Sequence, residues 1–88
     1  VKIEKAEVVN RLGIHARPAA QIVKAASQYD CNLTLTVDGD SVNAKSIMGV
    51  MTLAACKGSI IEVTAEGDDE NIALKSIIEI IRNGFGEE

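Results

Sequence analysis

Chemistry in this chain is concentrated in the stretch NRLGIHARPAA, residues 10–20, which holds the only histidine, His15, and the only proline, Pro18, with Arg17 between them. A neutral imidazole carries an in-plane lone pair near physiological pH and can serve as a nucleophile, a base or a ligand. Pro18 suits the first turn of a helix, where a missing N–H costs nothing. His15 then falls immediately before that helix, so the unpaired amides of Ala16 and Arg17 can point at whatever the ring carries. Arg17 and the positive helix end disfavour imidazolium, which leaves a neutral nitrogen able to accept a phosphoryl group. Once attached, the anionic group would meet the same amides and the guanidinium of Arg17. The residues leave three readings open: a helix start that happens to carry a histidine, a buried structural histidine, or a nucleophile at an anion site. A lone histidine near a helix start is more often structural, but Gly13, Arg17 and Pro18 at these offsets weigh towards the third reading. Asn10 and Gly13 serve equally well as a plain strand-to-helix turn.

Other chemistries find little material. Cys31 and Cys56 are far apart, and with one histidine they cannot complete a structural zinc site, so neither metal nor cofactor is expected. Each is most simply a small apolar side chain in a reducing compartment. A net charge of −4 and 2% aromatic residues argue against a nucleic-acid partner. Charge is nonetheless uneven: residues 1–29 hold five Lys/Arg against two Glu, and residues 58–88 hold two against eight Asp/Glu. The histidine lies in the basic part. The longest uncharged run, SIMGVMTLAAC, is too short to span a bilayer, and the opening VKIEKAEVV lacks the apolar core of a secretion signal, so a cytoplasmic protein without membrane insertion is expected. An autonomous enzyme has little support, since there is no phosphate-cradling Gly-rich loop, no metal cluster and no second base near His15 by motif.

These residues must be positioned by one domain, residues 1–88, because half this length could not bury a core of its own. VKIEKAEVV begins as an alternating strand whose apolar phase slips near Lys5. LTLTV sets Leu33, Leu35 and Val37 on one face, and Asp38-Gly39 signals a two-residue hairpin into a short return strand around 41–43. SIIEVTAEG alternates through Ile61, Val63 and Ala65. Ala19, Ile22, Val23 and Ala26 make the apolar stripe of a first helix, and Leu74, Ile77, Ile78 and Ile81 that of a last one, which starts among acids and stops at Asn83-Gly84. A shorter helix is expected over Ile47 to Thr52, entered at Ser46 and weakened by Gly49. The order β-α-β-β-α-β-α implies an α+β fold, an open-faced sandwich with a four-stranded, mainly antiparallel sheet and three helices on one face.

LGIHARPAA together with KSIMGVMTLAACKGSIIEV resembles the histidine-containing phosphocarrier (HPr) family of the bacterial phosphoenolpyruvate-dependent phosphotransferase system, and the likeness covers essentially the whole chain. The resemblance implies that His15 accepts phosphate on Nδ1 from enzyme I and passes it to enzyme II A domains for sugar uptake, with Arg17 assisting. It implies the same open-faced sandwich and a carrier that acts only with partner enzymes; the chain is expected to be a monomer. It also separates the chain from a related paralogue that lacks this histidine.

Ser46 reads from its position as a helix N-cap. The resemblance adds a second role, since in many members the serine of KSIMG is phosphorylated by a dedicated kinase. A phosphate there adds about −1.5 to −2 charge at a helix N-terminus, which the fold should tolerate. Ile47, Met48 and Met51 are either core residues or an adaptable apolar patch near His15. The resemblance favours the patch and extends the partner surface to Ala16, Arg17, Ala20, Gln21 and Lys24, with Lys24 and Lys45 steering an acidic partner. A second class of function is a regulatory binding module that controls metabolism or transcription, through transcription regulators and a serine kinase/phosphorylase. The closing IIRNGFGEE resembles the nitrogen-related branch of the family, whereas KSIMGVM resembles the sugar-type branch.

Overall fold

Apolar–polar alternation builds the sheet and period-3.6 stripes build the helices that cover it. In the computed structural model, which describes residues 1–87, the elements run β1 (Lys2–Glu7), α1 (Ala16–Ala26), β2 (Asn32–Val37), β3 (Asp40–Asn43), α2 (Ile47–Thr52), β4 (Ile60–Glu66) and α3 (Glu70–Arg82). The sheet order is β1-β4-β2-β3 and every neighbouring pair is antiparallel. Residues directly opposite one another share a face. Leu33 faces Ala65, Leu35 faces Val63 and Ala6 faces Ile61, and all six are buried under the helices. On the other face Thr34 lies opposite Thr64 and Thr36 opposite Glu62, all half-buried. The fold is therefore the α+β open-faced sandwich that the element order implies.

The phase slip in β1 has a physical cause. Ala6 and Val8 point into the core, which turns Val1 and Ile3 to solvent. Of the other two positions on the inward face of this edge strand, Lys2 is exposed and Glu4 pairs with Arg82 at the end of α3 at 2.9 Å. The β2–β3 hairpin turns through Asp38 and Gly39, both at positive φ (52° and 86°), as a type I′ turn requires.

Helix α1 buries Pro18, Ala19, Ile22 and Ala26, and α3 buries Ala73, Leu74, Ile77, Ile78 and Ile81. Helix α2 buries Val50 alone. Acids open α3 as the sequence implies, with Glu70 in its first turn, and Asp69 has a further task. Asp69 stands at the N-cap but makes no cap bond to its own helix; its carboxylate accepts the backbone N–H groups of Asp30 and Cys31 at 2.9 and 3.0 Å, tying α3 to the start of β2. The Asp30 amide leads in holding the Asp69 carboxyl below the usual range. Cys31 is buried, and burial leads in pushing its thiol up, with Asp69 adding to it. Cys56, expected to be a packed apolar side chain, is exposed because it opens the turn closed by the Ser59 amide on the Cys56 carbonyl, 2.8 Å.

Candidate functional site

The backbone before α1 is fixed by two turns laid against each other. Gly13 donates to the Asn10 carbonyl at 3.2 Å, and the buried Asn10 side chain returns a bond from Nδ2 to the Gly13 carbonyl at 2.8 Å. Ile14 then donates to the Ala55 carbonyl at 2.9 Å, while Val8 exchanges bonds with Ser59 and Gly58. Gly13 lies at φ +68°, and a Cβ on it would stand 2.5 Å from the Ala55 carbonyl oxygen and 2.7 Å from the Cys56 Cα. Only glycine fits both the left-handed backbone and this approach. Ala54 occupies the left-handed region at φ 51° without that freedom, which costs about 1 kcal/mol or more.

His15 emerges from these turns as the N-cap residue of α1, extended at φ −96° and ψ −169°. Its carbonyl accepts the Ala19 amide at 3.0 Å, but its side chain makes no cap bond. The imidazole is thus left over from helix capping and is 37% exposed. Beside it, the amides of Ala16 and Arg17 belong to the first turn and have no carbonyl one turn back, while Pro18 contributes none. The arrangement can hold an anion next to a ring nitrogen.

A second group, missed from the sequence, completes the site. Glu87 Oε1 lies 3.0 Å from His15 Nε2 and also accepts Asn10 Nδ2 at 3.0 Å. The hydrogen bond with His15 leads in holding the Glu87 carboxyl below the usual carboxylate range, helped by Asn10 and by the Arg17 charge. An ionised carboxylate only accepts, so in the neutral ring Nε2 carries the hydrogen and Nδ1 the lone pair. Glu87 arrives by a tail in which Gly84, Phe85 and Gly86 all have positive φ (66°, 60° and 73°). Phe85 is buried, and its carbonyl accepts Gln21 Nε2 at 3.0 Å. The 72-residue separation between His15 and Glu87 hides the pair from any motif.

The other expected residues divide. Ala16, Arg17, Ala20 and Lys24 are exposed on α1. Gln21 is half-buried and occupied with the tail, and the Lys45 amine donates to the Tyr29 carbonyl at 2.7 Å, so neither presents a bare polar head. Ile47, Met48 and Met51 are 43, 74 and 44% exposed on α2, which contacts α1. Leu12, not anticipated, is also exposed. Ser46 caps α2, its Oγ accepting the Gly49 amide at 3.2 Å. Among the described residues no group of three His, Cys, Asp or Glu side chains is placed to hold a metal ion.

Comparison with known proteins adds an independent line. A family model describing the PTS HPr component phosphorylation site matches residues 3–83. The phosphocarrier protein HPr of Treponema pallidum is 51% identical over 86 residues, covering 98% of both chains. That of Xylella fastidiosa is 47% identical over 81 residues, 92% of this chain and 91% of the other. The crystal structure of an HPr from Thermoanaerobacter tengcongensis superposes with a TM-score of 0.95 at 43% identity, covering 100% of this chain and 99% of that one.

Proposed function

Because this chain belongs to the HPr phosphocarrier family of the phosphotransferase system, we propose that His15 is its phosphoryl acceptor, loaded by enzyme I and unloaded to enzyme II A domains for sugar uptake. The observation that carries this reading is an imidazole at the N-cap of α1 that does no capping and is partly exposed beside unpaired first-turn amides. Arg17, next but one in the chain, supplies a guanidinium for the phosphoryl oxygens. The chain carries the group and completes no turnover alone. It acts in the cytoplasm as a monomer; among the described residues no helix is long and apolar enough to cross a membrane. Incubation with enzyme I and isotopically labelled phosphoenolpyruvate should give one acid-labile, base-stable phosphate per chain. An unlabelled chain would overturn the reading.

Partners dock, in this reading, on the neighbouring surfaces of α1 and α2. Ala16, Ala20 and Lys24 recur at four-residue intervals on one helix, and Ile47, Met48 and Met51 are exposed on the other. Methionine repacks easily, which suits one patch to several partners. Ser46 is a regulatory phosphorylation site for a serine kinase/phosphorylase, where a phosphate would repel acidic partners beside this patch. Two substitutions separate its roles. Ser46→Ala removes the cap and should lower stability by about 1 kcal/mol in urea unfolding. Ser46→Asp retains an N-cap acceptor, so it should unfold near the wild-type midpoint and pass phosphate to enzyme II A more slowly. Equal transfer by wild type and the aspartate variant would remove the regulatory assignment.

A second reading, a regulatory binding module controlling metabolism or transcription, is favoured by the resemblance of IIRNGFGEE to the nitrogen-related branch. Deletion distinguishes the two. Sugar uptake lost and restored only by a copy containing His15 supports transport, and uptake retained supports regulation.

A further inference from the structure

Phosphoryl transfer to one imidazole nitrogen changes the charge on the whole ring, so whatever touches the other nitrogen takes part in the energetics. Here that group is Glu87. Its Oε1 sits 3.0 Å from His15 Nε2 and is held from a second direction by Asn10 Nδ2, also at 3.0 Å. Asn10 is 1% exposed and its amide is anchored to the Gly13 carbonyl, so the carboxylate is located by a buried donor rather than by the histidine alone. The tail that delivers it is fixed as well. Phe85 is buried in a left-handed conformation, Gln21 holds its carbonyl, and the Glu87 amide donates to the Gly84 carbonyl at 2.9 Å.

We propose that Glu87 is a positioning residue for phosphoryl transfer, holding the His15 ring with its hydrogen on Nε2 and balancing the positive charge that appears there when Nδ1 is phosphorylated. This rests on the carrier reading of His15. As the lone pair of Nδ1 forms the N–P bond, the bond from phosphorus to the donor breaks and its electron pair leaves with the donor. No proton need move: Nε2 keeps its hydrogen, and the imidazole becomes a cation whose N–H points at the Glu87 carboxylate. The two charged groups flanking the ring then have separate tasks. Arg17, exposed in the first turn of α1, is available to the phosphoryl oxygens, and Glu87 contacts the ring.

Glu87→Gln tests the charge alone, since the glutamine oxygen can still accept from Asn10 Nδ2 and from Nε2–H. Its rate of labelling by enzyme I and phosphoenolpyruvate should fall about tenfold, the scale on which one well-placed charge-assisted contact acts. Its unfolding midpoint should be unchanged. In nitrogen-15 spectra of the unphosphorylated protein with the ring neutral, the His15 Nε2 signal should move in the variant, while Arg17→Gln should leave it in place. A Glu87→Gln chain labelled at the wild-type rate, with the same Nε2 signal, would overturn the proposal while leaving the carrier reading intact. A wild-type chain that takes no label would overturn both. A slower variant that has also lost its wild-type unfolding midpoint is compared with Glu87→Ala: equal rates in the two variants support the charge role, and a slower alanine variant assigns the effect to tail packing and overturns it.

Discussion

Replacing His15 with alanine should abolish phosphate uptake and leave the molecule folded. The chain has no second imidazole, and the exposed lysines cannot replace it, because as ammonium groups near neutral pH they have no lone pair to offer. The loss should therefore be complete rather than graded. Stability should change little. The ring is 37% exposed and makes no cap bond, and the capping backbone contact, Ala19 to the His15 carbonyl, survives the substitution. The substitution also removes the 3.0 Å contact of Nε2 with Glu87, whose carboxylate keeps Asn10 Nδ2, so stability should fall by about 1 kcal/mol or less. Labelling with enzyme I beside urea unfolding of the same sample checks both halves. Residual label at a tenth of the wild-type amount would place the acceptor elsewhere, and a large loss of stability would make His15 a structural residue.

Gly13→Ala should be the most damaging small substitution in the chain. Two independent penalties add at that position. The left-handed backbone at φ +68° strains any L-residue with a Cβ, at about 1–2 kcal/mol. The new methyl would also press on the Ala55 carbonyl oxygen at 2.5 Å, and that oxygen is the acceptor for Ile14. Backbone on both sides must move, because neither obstacle is the end of a flexible side chain. A total of about 3 kcal/mol or more is expected, which in a domain of this size corresponds to a drop in Tm of roughly 12 °C or more. His15 lies two residues on, so labelling at a temperature where the variant is folded should also slow. A loss below about 1 kcal/mol would mean that the turn around Gly13 adapts freely and does not hold the histidine.

The course of the fold was readable where a local signal and a long-range one agree. LTLTV alternates cleanly, and each inward residue meets an inward partner on β4. Asp38-Gly39 announces a turn by chemistry that requires nothing distant. In β1 the alternation breaks because the strand lies at the sheet edge, where the inward Glu4 can pair with Arg82 instead of packing. Asp69 reads in the sequence only as one of the acids at a helix start, yet it ties together two segments far apart in the chain. The same limit governs the site. His15, Pro18 and the helix they start are contiguous, so their relation can be read along the chain. Glu87 reaches the ring only because three successive residues adopt positive φ, and Phe85, unlike the glycines around it, carries no sign of that conformation in its residue type. The polar heads of Gln21 and Lys45 likewise looked free for partners, since nothing local reveals the backbone carbonyls that bind them.

The pairing of β1 with β4 has a consequence for how the molecule is made. Residues 2–7 leave the ribosome well before residues 60–66, yet the two segments are hydrogen-bonding neighbours. Strand β1 must therefore wait, without its partner, until β4 has been made. Closing that long loop is entropically costly before any contact compensates it. Folding should consequently proceed in milliseconds or slower, and the acquisition of tertiary structure should come late, after β4 has been released from the exit tunnel.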